Sequence, residues 1–182
     1  MVMAFDPATE RARHTARRAF LERQAALRLD LAEGITFQPE TAESVEDQVT
    51  ETLWAEGLTL DAAPAEDLAE ARASFAVLAP RREPSGRSLA ATLFLGFPEA
   101  VRNTKLAALQ RFPDQLRLEL SDGSLVSPAV DRGAAGPDDR LPAVLALRYL
   151  IPDGRRIAAL VSNHAELSGR WPAPAAWTAW PS

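Results

Sequence analysis

The chain of 182 residues contains no cysteine, which excludes disulfides, thiolate nucleophiles and cysteine-ligated zinc or iron-sulfur centres within it. Any such centre would have to belong to another protein. Histidine is nearly as scarce, with His14 and His164 alone, so any nucleophile-histidine-acid site must use one of these two. No apolar run approaches the roughly 20 residues that span a bilayer, and the first residues lack the apolar stretch of a secretory signal. A cytoplasmic protein without a membrane partner is expected. Also missing are a Walker loop, a Gly-x-Gly-x-x-Gly turn after a strand, a His-Glu-x-x-His helix and a Gly-x-Ser-x-Gly elbow, the local devices of nucleotide binding, zinc proteolysis and serine hydrolysis.

What is present is an ordinary globular composition, 47% hydrophobic and 25% charged, in a length that suits one core. A single domain over residues 1–182 is expected, divided into a basic helix (7–26), an α+β core (27–170) and a tail rich in tryptophan and proline (171–182). The net charge of −5 is unevenly spread. Residues 10–28 hold six arginines against two acids, a surplus of four that leaves −9 on the rest. An arginine-rich helix can meet an external anion or the acidic body of its own chain, and the second reading is preferred.

Asp6 and Pro7 look like the cap and first position of that helix. Leu29, Leu31, Ile35 and Phe37 then alternate around a Glu-Gly turn, a hairpin pattern. Val45, Val49 and Leu53 predict a helix capped by Thr41 or Ser44 and stopped by Gly57; a third helix is expected from Pro64 to just before Pro80, burying Leu68, Phe75 and Leu78. RREPSGRS reads as a loop and SLAATLFLGF as the strongest strand. After it, a helix should bury Val101, Leu106 and Leu109. QLRLELSDGSLVSPAV predicts two strands around Ser-Asp-Gly, DRGAAGPDDR a polar loop, and PAVLALRYL and RIAALVSN two strands joined by Pro-Asp-Gly. Helices early and strands late predict an α+β fold with a mostly antiparallel sheet and several helices packed on it.

Few residues could carry chemistry. His164 ends a strand and Glu166 follows two residues on, so an extended backbone would put both on one face, where a carboxylate could fix the imidazole tautomer; Asn163 and Ser168-Gly169 alternatively mark a plain turn. Glu40 precedes an acidic helix bearing Glu43, Glu46, Asp47, Glu51 and Glu56. Carboxylates with a histidine would suit iron, manganese or zinc, so His164, Glu40, Glu51 and Glu56 are the candidate metal set, although the Glu-x-x-His spacing of carboxylate-bridged metal pairs is missing. His14 reads as a surface residue. Arg13, Arg17 and Arg18 on the basic helix, with Trp171, Trp177 and Trp180 in the tail, are candidate partner-binding positions. The tail reads alternatively as a strap over the protein's own sheet, and that reading is preferred. Nucleic acid is not expected at the tryptophans, where only Arg170 supplies charge.

In this order the pieces resemble a bacterial domain family of unknown function, often encoded beside rubrerythrin-like proteins and iron-sulfur oxidoreductase subunits. Glu40, then Gln48, Glu51 and Glu56 in QVTETLWAE, match its acidic helix. FAVLAP with Leu78 and Pro80, the Ala-Thr strand SLAATLFLGF, ALRYL with Leu147 and Arg148, and VSNHAELSG with His164 match its later elements. Gly96, Leu145, Ala165 and Leu167 stand where the family has an acid, a histidine, a proline and a tyrosine. The resemblance implies a redox or metal-homeostasis setting. It points to an accessory protein that binds a redox or metalloprotein partner, or a second copy of itself, without catalysis of its own; the rival is a small metal-binding protein or enzyme built on His164.

Overall fold

The acidic cap expected at the chain's start is in place. In the computed structural model, which describes residues 6–131, 141–178 and 180, Asp6 accepts from the N–H groups of Ala8 and Thr9 and opens α1 (Pro7–Ala25), satisfying donors that a helix start leaves without partners. The chain forms two compact units. One takes residues up to Ala26 together with Thr41–Ala79; the other takes Leu27–Glu40 and everything from Pro80 on. Helices α2 and α3 group with α1 in the first unit.

The helical unit comprises α1, α2 (Ala42–Ala55) and α3 (Ala65–Phe75). Thr41 and Ser44 form a reciprocal capping box, each side chain bonding the other's backbone N–H. Val49, Leu53 and Ala71 make a small apolar cluster, joined by Leu58, Leu60, Leu68 and Phe75. The third helix ends at Phe75, earlier than its pattern predicts. Its remaining turn carries Val77, 42% exposed, so burial gives no reason to continue.

The second unit holds two antiparallel sheets. The six-stranded sheet runs β1 (Leu29–Ala32), β2 (Ile35–Pro39), β4 (Gly86–Leu95), β8 (Val144–Ile151), β7 (Ala129–Asp131), with β3 (Arg81–Glu83) also on β4; the four-stranded sheet runs β10 (Leu167–Pro172), β9 (Ile157–His164), β5 (Arg117–Leu120), β6 (Leu125–Val126). Alternation decides the faces. Phe37, Leu89, Leu93, Leu145, Leu147 and Tyr149 from the large sheet share one core with Leu118, Leu120 and Leu160 from the small one. The buried Tyr149 hydroxyl donates to the Leu116 carbonyl at 2.8 Å. Helices α4 (Glu99–Ala108) and α5 (Phe112–Gln115) add Leu106 and Phe112 to this core.

The α+β class with antiparallel sheets is therefore as expected, with four local corrections. RREPSGRS is the β3–β4 hairpin and not a loop; its Gly86 has φ +151°, and a Cβ there would stand 2.1 Å from the Ile151 carbonyl oxygen. The Pro-Asp-Gly turn joins strands of different sheets, so it makes a corner where a hairpin would pair them. Val101 is 43% exposed while Leu106 and Leu109 are buried, which narrows the apolar face of α4. The tail from residue 171 begins inside β10. Most of the expected polar loop DRGAAGPDDR lies outside the described residues.

Candidate functional site

His164 closes the β9–β10 hairpin. Its register partner is Leu167, leaving Ala165 and Glu166 as the loop, so Ser168-Gly169 belongs to a strand and the turn sits three residues earlier. The imidazole Nδ1 accepts the Glu166 backbone N–H at 3.2 Å, the backbone N–H of His164 donates to Ser162 Oγ at 3.1 Å, and Phe112 meets the ring edge-on at 5.8 Å. With Nδ1 used as an acceptor, the proton of the neutral ring is on Nε2. The residue is buried. Its observed role is to fasten a turn to the core, the plainer of the two readings open for it.

The four-residue metal set does not assemble. Glu51 is claimed by Arg13, whose Nε and Nη2 reach its two oxygens at 3.2 and 2.6 Å, and by Arg17 at 3.5 Å. Glu56 is the exposed C-cap of α2. Glu40 and His164 belong to the sheet unit, where the Thr92 hydroxyl donates to Glu40 Oε1. No group of three or more histidine, aspartate or glutamate side chains converges among the described residues. Glu40 and Glu51 are each bonded to a donor on their own unit, and Glu56 is exposed.

The partner-binding candidates divide. Arg13 and Arg17 turn inward on the helical unit, Arg17 also bonding Asp47, and the Arg13 guanidinium lies 4.7 Å over the Trp54 ring. Arg23 pairs with Glu43 and Arg72 with Glu46. The acidic face of α2 thus meets the basic face of α1, the intramolecular use preferred above. Arg18 remains exposed, facing Glu22 one turn on. His14 is exposed, as its position predicted. Trp171 is half-buried with its ring over Gly169. Trp177 and Trp180 are buried core residues, so their proposed role as an exposed docking surface is corrected. Both rings pack on Phe37, and their indoles donate to the Leu27 carbonyl at 2.7 Å and the Glu40 carbonyl at 2.8 Å. These carbonyls mark the two places where the β1–β2 segment joins the helical unit in sequence. Burial of a large ring with its one donor bonded is the favourable outcome for tryptophan.

A different constellation occupies the second face of the six-stranded sheet. Small and polar residues alternate there along each strand: Ser88, Ala90 and Thr92 on β4, Thr36 and Gln38 on β2, Arg148 on β8. Glu40, Ser88 and Thr92 are all buried. Toward the β1 edge, Arg28 Nε donates to Asp30 at 2.8 Å, Arg28 Nη2 to Thr36 Oγ1 at 3.1 Å, and Thr36 to Asp30 at 3.0 Å. The bonds from Arg28 and Thr36 hold the Asp30 carboxyl below its usual pKa. These residues line an open groove of about 650 Å³ with Gln38, Phe94 and Gly96. Phe94 is 40% exposed and its cross-strand neighbour Val144 is 55% exposed. A Cβ built on Gly96 would meet the Gly34 carbonyl oxygen at 3.9 Å, an ordinary contact distance.

Fixed ions, a hydroxyl and an exposed ring make this face suited to binding. Sequence reasoning missed it as a unit. The available signal was the period-two row Ser88, Ala90, Thr92, which is small or polar where its alternate row is leucine-rich.

Comparison with known proteins agrees with the fold. A family model described as a protein of unknown function, DUF3501, matches residues 7–174, so the resemblance to a domain family of unknown function holds over nearly the whole chain. A crystal structure of a novel protein of unknown function from Burkholderia pseudomallei K96243 is similar at a TM-score of 0.73 and 18% identity, covering 99% of this chain and 98% of that one. At that identity the likeness concerns the fold. No curated protein matches. No helix among the described residues is long and apolar enough to cross a membrane.

Proposed function

Since the chain belongs to the DUF3501 family of proteins of unknown function, we propose that it is an accessory protein that binds a protein partner, in the cytoplasmic redox or metal-homeostasis setting that the resemblance implies. The observation that carries this reading is the contrast between consumed and open groups. Glu51 and His164 are held in internal bonds, while the Arg28–Asp30–Thr36 groove and the Phe94–Val144 pair beside it face solvent. An aromatic and an aliphatic side chain beside fixed charges supply the apolar anchor and polar rim typical of transient interfaces.

The test is capture of a redox or metalloprotein partner by the full chain and by the Phe94→Ser, Val144→Ser double variant. Capture should fall roughly tenfold, the effect of losing one interface anchor worth about 1.4 kcal/mol, with the circular dichroism spectrum unchanged. Equal capture would reject this face. Elemental analysis of the purified protein addresses the rival metal reading: stoichiometric iron, manganese or zinc that disappears in His164→Ala would replace the accessory role with a metal site.

A further inference from the structure

The second face of the six-stranded sheet carries a guanidinium that the fold bonds only in part. Arg148 stands on β8 opposite Ala90, and its Nη1 donates to Ser88 Oγ at 2.7 Å. Its Nη2 is buried with no hydrogen-bond partner among the described residues. Buried guanidinium N–H groups normally find acceptors, because losing water without replacement is costly. The β3–β4 hairpin aggravates the position. It sets Arg81 opposite Ser88, close enough for its charge to disfavour that of Arg148, with Glu83 acting the other way. Burial is the largest of these effects, and together they move the Arg148 pKa below its usual value, yet an arginine stays protonated at neutral pH.

A protonated fork with one arm engaged on a serine hydroxyl and the other without an acceptor, beside the added positive charge of Arg81, favours an anion. Guanidinium groups recognise planar carboxylate and tetrahedral phosphate oxygens through two neighbouring N–H groups. We propose that Arg148, Ser88 and Arg81 form a binding site for a small oxyanion, a phosphate or carboxylate group. The site is separate from the groove at Arg28 and does not depend on the partner-binding reading.

Calorimetric titration of the full chain with inorganic phosphate and, separately, with acetate, at constant ionic strength in chloride, tests this. One saturable site is expected, and its affinity should fall roughly tenfold in Arg148→Met through loss of the charge-assisted pair. Arg81→Gln should weaken it about threefold, as expected for a neighbouring charge. Binding of phosphate alone assigns a phosphate site; binding of acetate alone assigns a carboxylate site. Absence of saturable binding by either anion, or equal affinity in Arg148→Met, overturns the proposal. Should Arg148→Met not fold, Arg148→Lys retains the charge and removes the fork; affinity equal to the wild type in that variant would also overturn it.

Discussion

The helical unit and the two-sheet unit are stabilised in different ways. Among the described residues the first has a small buried apolar cluster, Val49, Leu53 and Ala71, and its helices are joined by arginine–carboxylate pairs along α1 and α2. The second has a continuous core of leucine, phenylalanine and tryptophan drawn from both sheets, α4, α5 and the tail. Ion pairs at a surface contribute little and weaken with salt, whereas apolar burial is insensitive to screening. The same chain therefore contains one region sensitive to ionic conditions and another governed by packing.

Breaking the packed unit should have the largest effect. Trp177→Ala removes a buried ring together with the indole bond to Leu27; a loss of about 3–5 kcal/mol is expected in chemical denaturation. Gly86→Ala should act on the same unit, because its Cβ would collide with the Ile151 backbone, and a lower denaturation midpoint would register it. In the helical unit, Leu53→Ala should cost about 2–3 kcal/mol, the lower part of the range for buried leucine, since its cluster is small. A larger loss there than at Trp177 would undo the contrast.

Smaller effects sharpen the comparison. Glu51→Gln should cost about 1 kcal/mol, as a partly buried bidentate pair is exchanged for a neutral bond. That difference should shrink between low and high salt, while the Trp177→Ala deficit should not. On the four-stranded sheet, the hydrogen bond and charge of Arg170 hold the Glu119 carboxyl below its usual pKa. A depressed carboxylate contributes stability above its unfolded pKa and loses it as pH falls through the folded one. Glu119→Gln should therefore be slightly less stable than wild type at neutral pH and converge with it on acidification below about pH 4. A pH-independent difference would show that the pair acts only through packing.

Much of the fold was legible from local rules. Asp6-Pro7, the Thr41–Ser44 box and the Glu33-Gly34 hairpin turn each appear where cap and turn chemistry put them, because those signals act over three or four residues. RREPSGRS misled because its glycine and proline also suit a tight hairpin, and strand pairing across β4 outweighed the loop signal. The candidate site was harder to read. His164 attracted notice as one of two histidines, yet scarcity carries no information about geometry. Ser88, Thr92 and Arg148 attracted less, being common residues in strands far apart in sequence, and only the antiparallel register of β4 with β8 sets them on one face.

By itself the sequence determined the classes of chemistry open to the protein, the capped helices, the strand periodicity and the acid–base complementarity of α1 and α2, since each depends on residue type and short spacing. Tertiary structure alone decided that Trp177 and Trp180 lie inside, that Glu51 and His164 are already bonded, and that Arg148 keeps a donor without an acceptor. Those outcomes depend on which distant groups meet first in a shared core, and a linear pattern does not encode that competition.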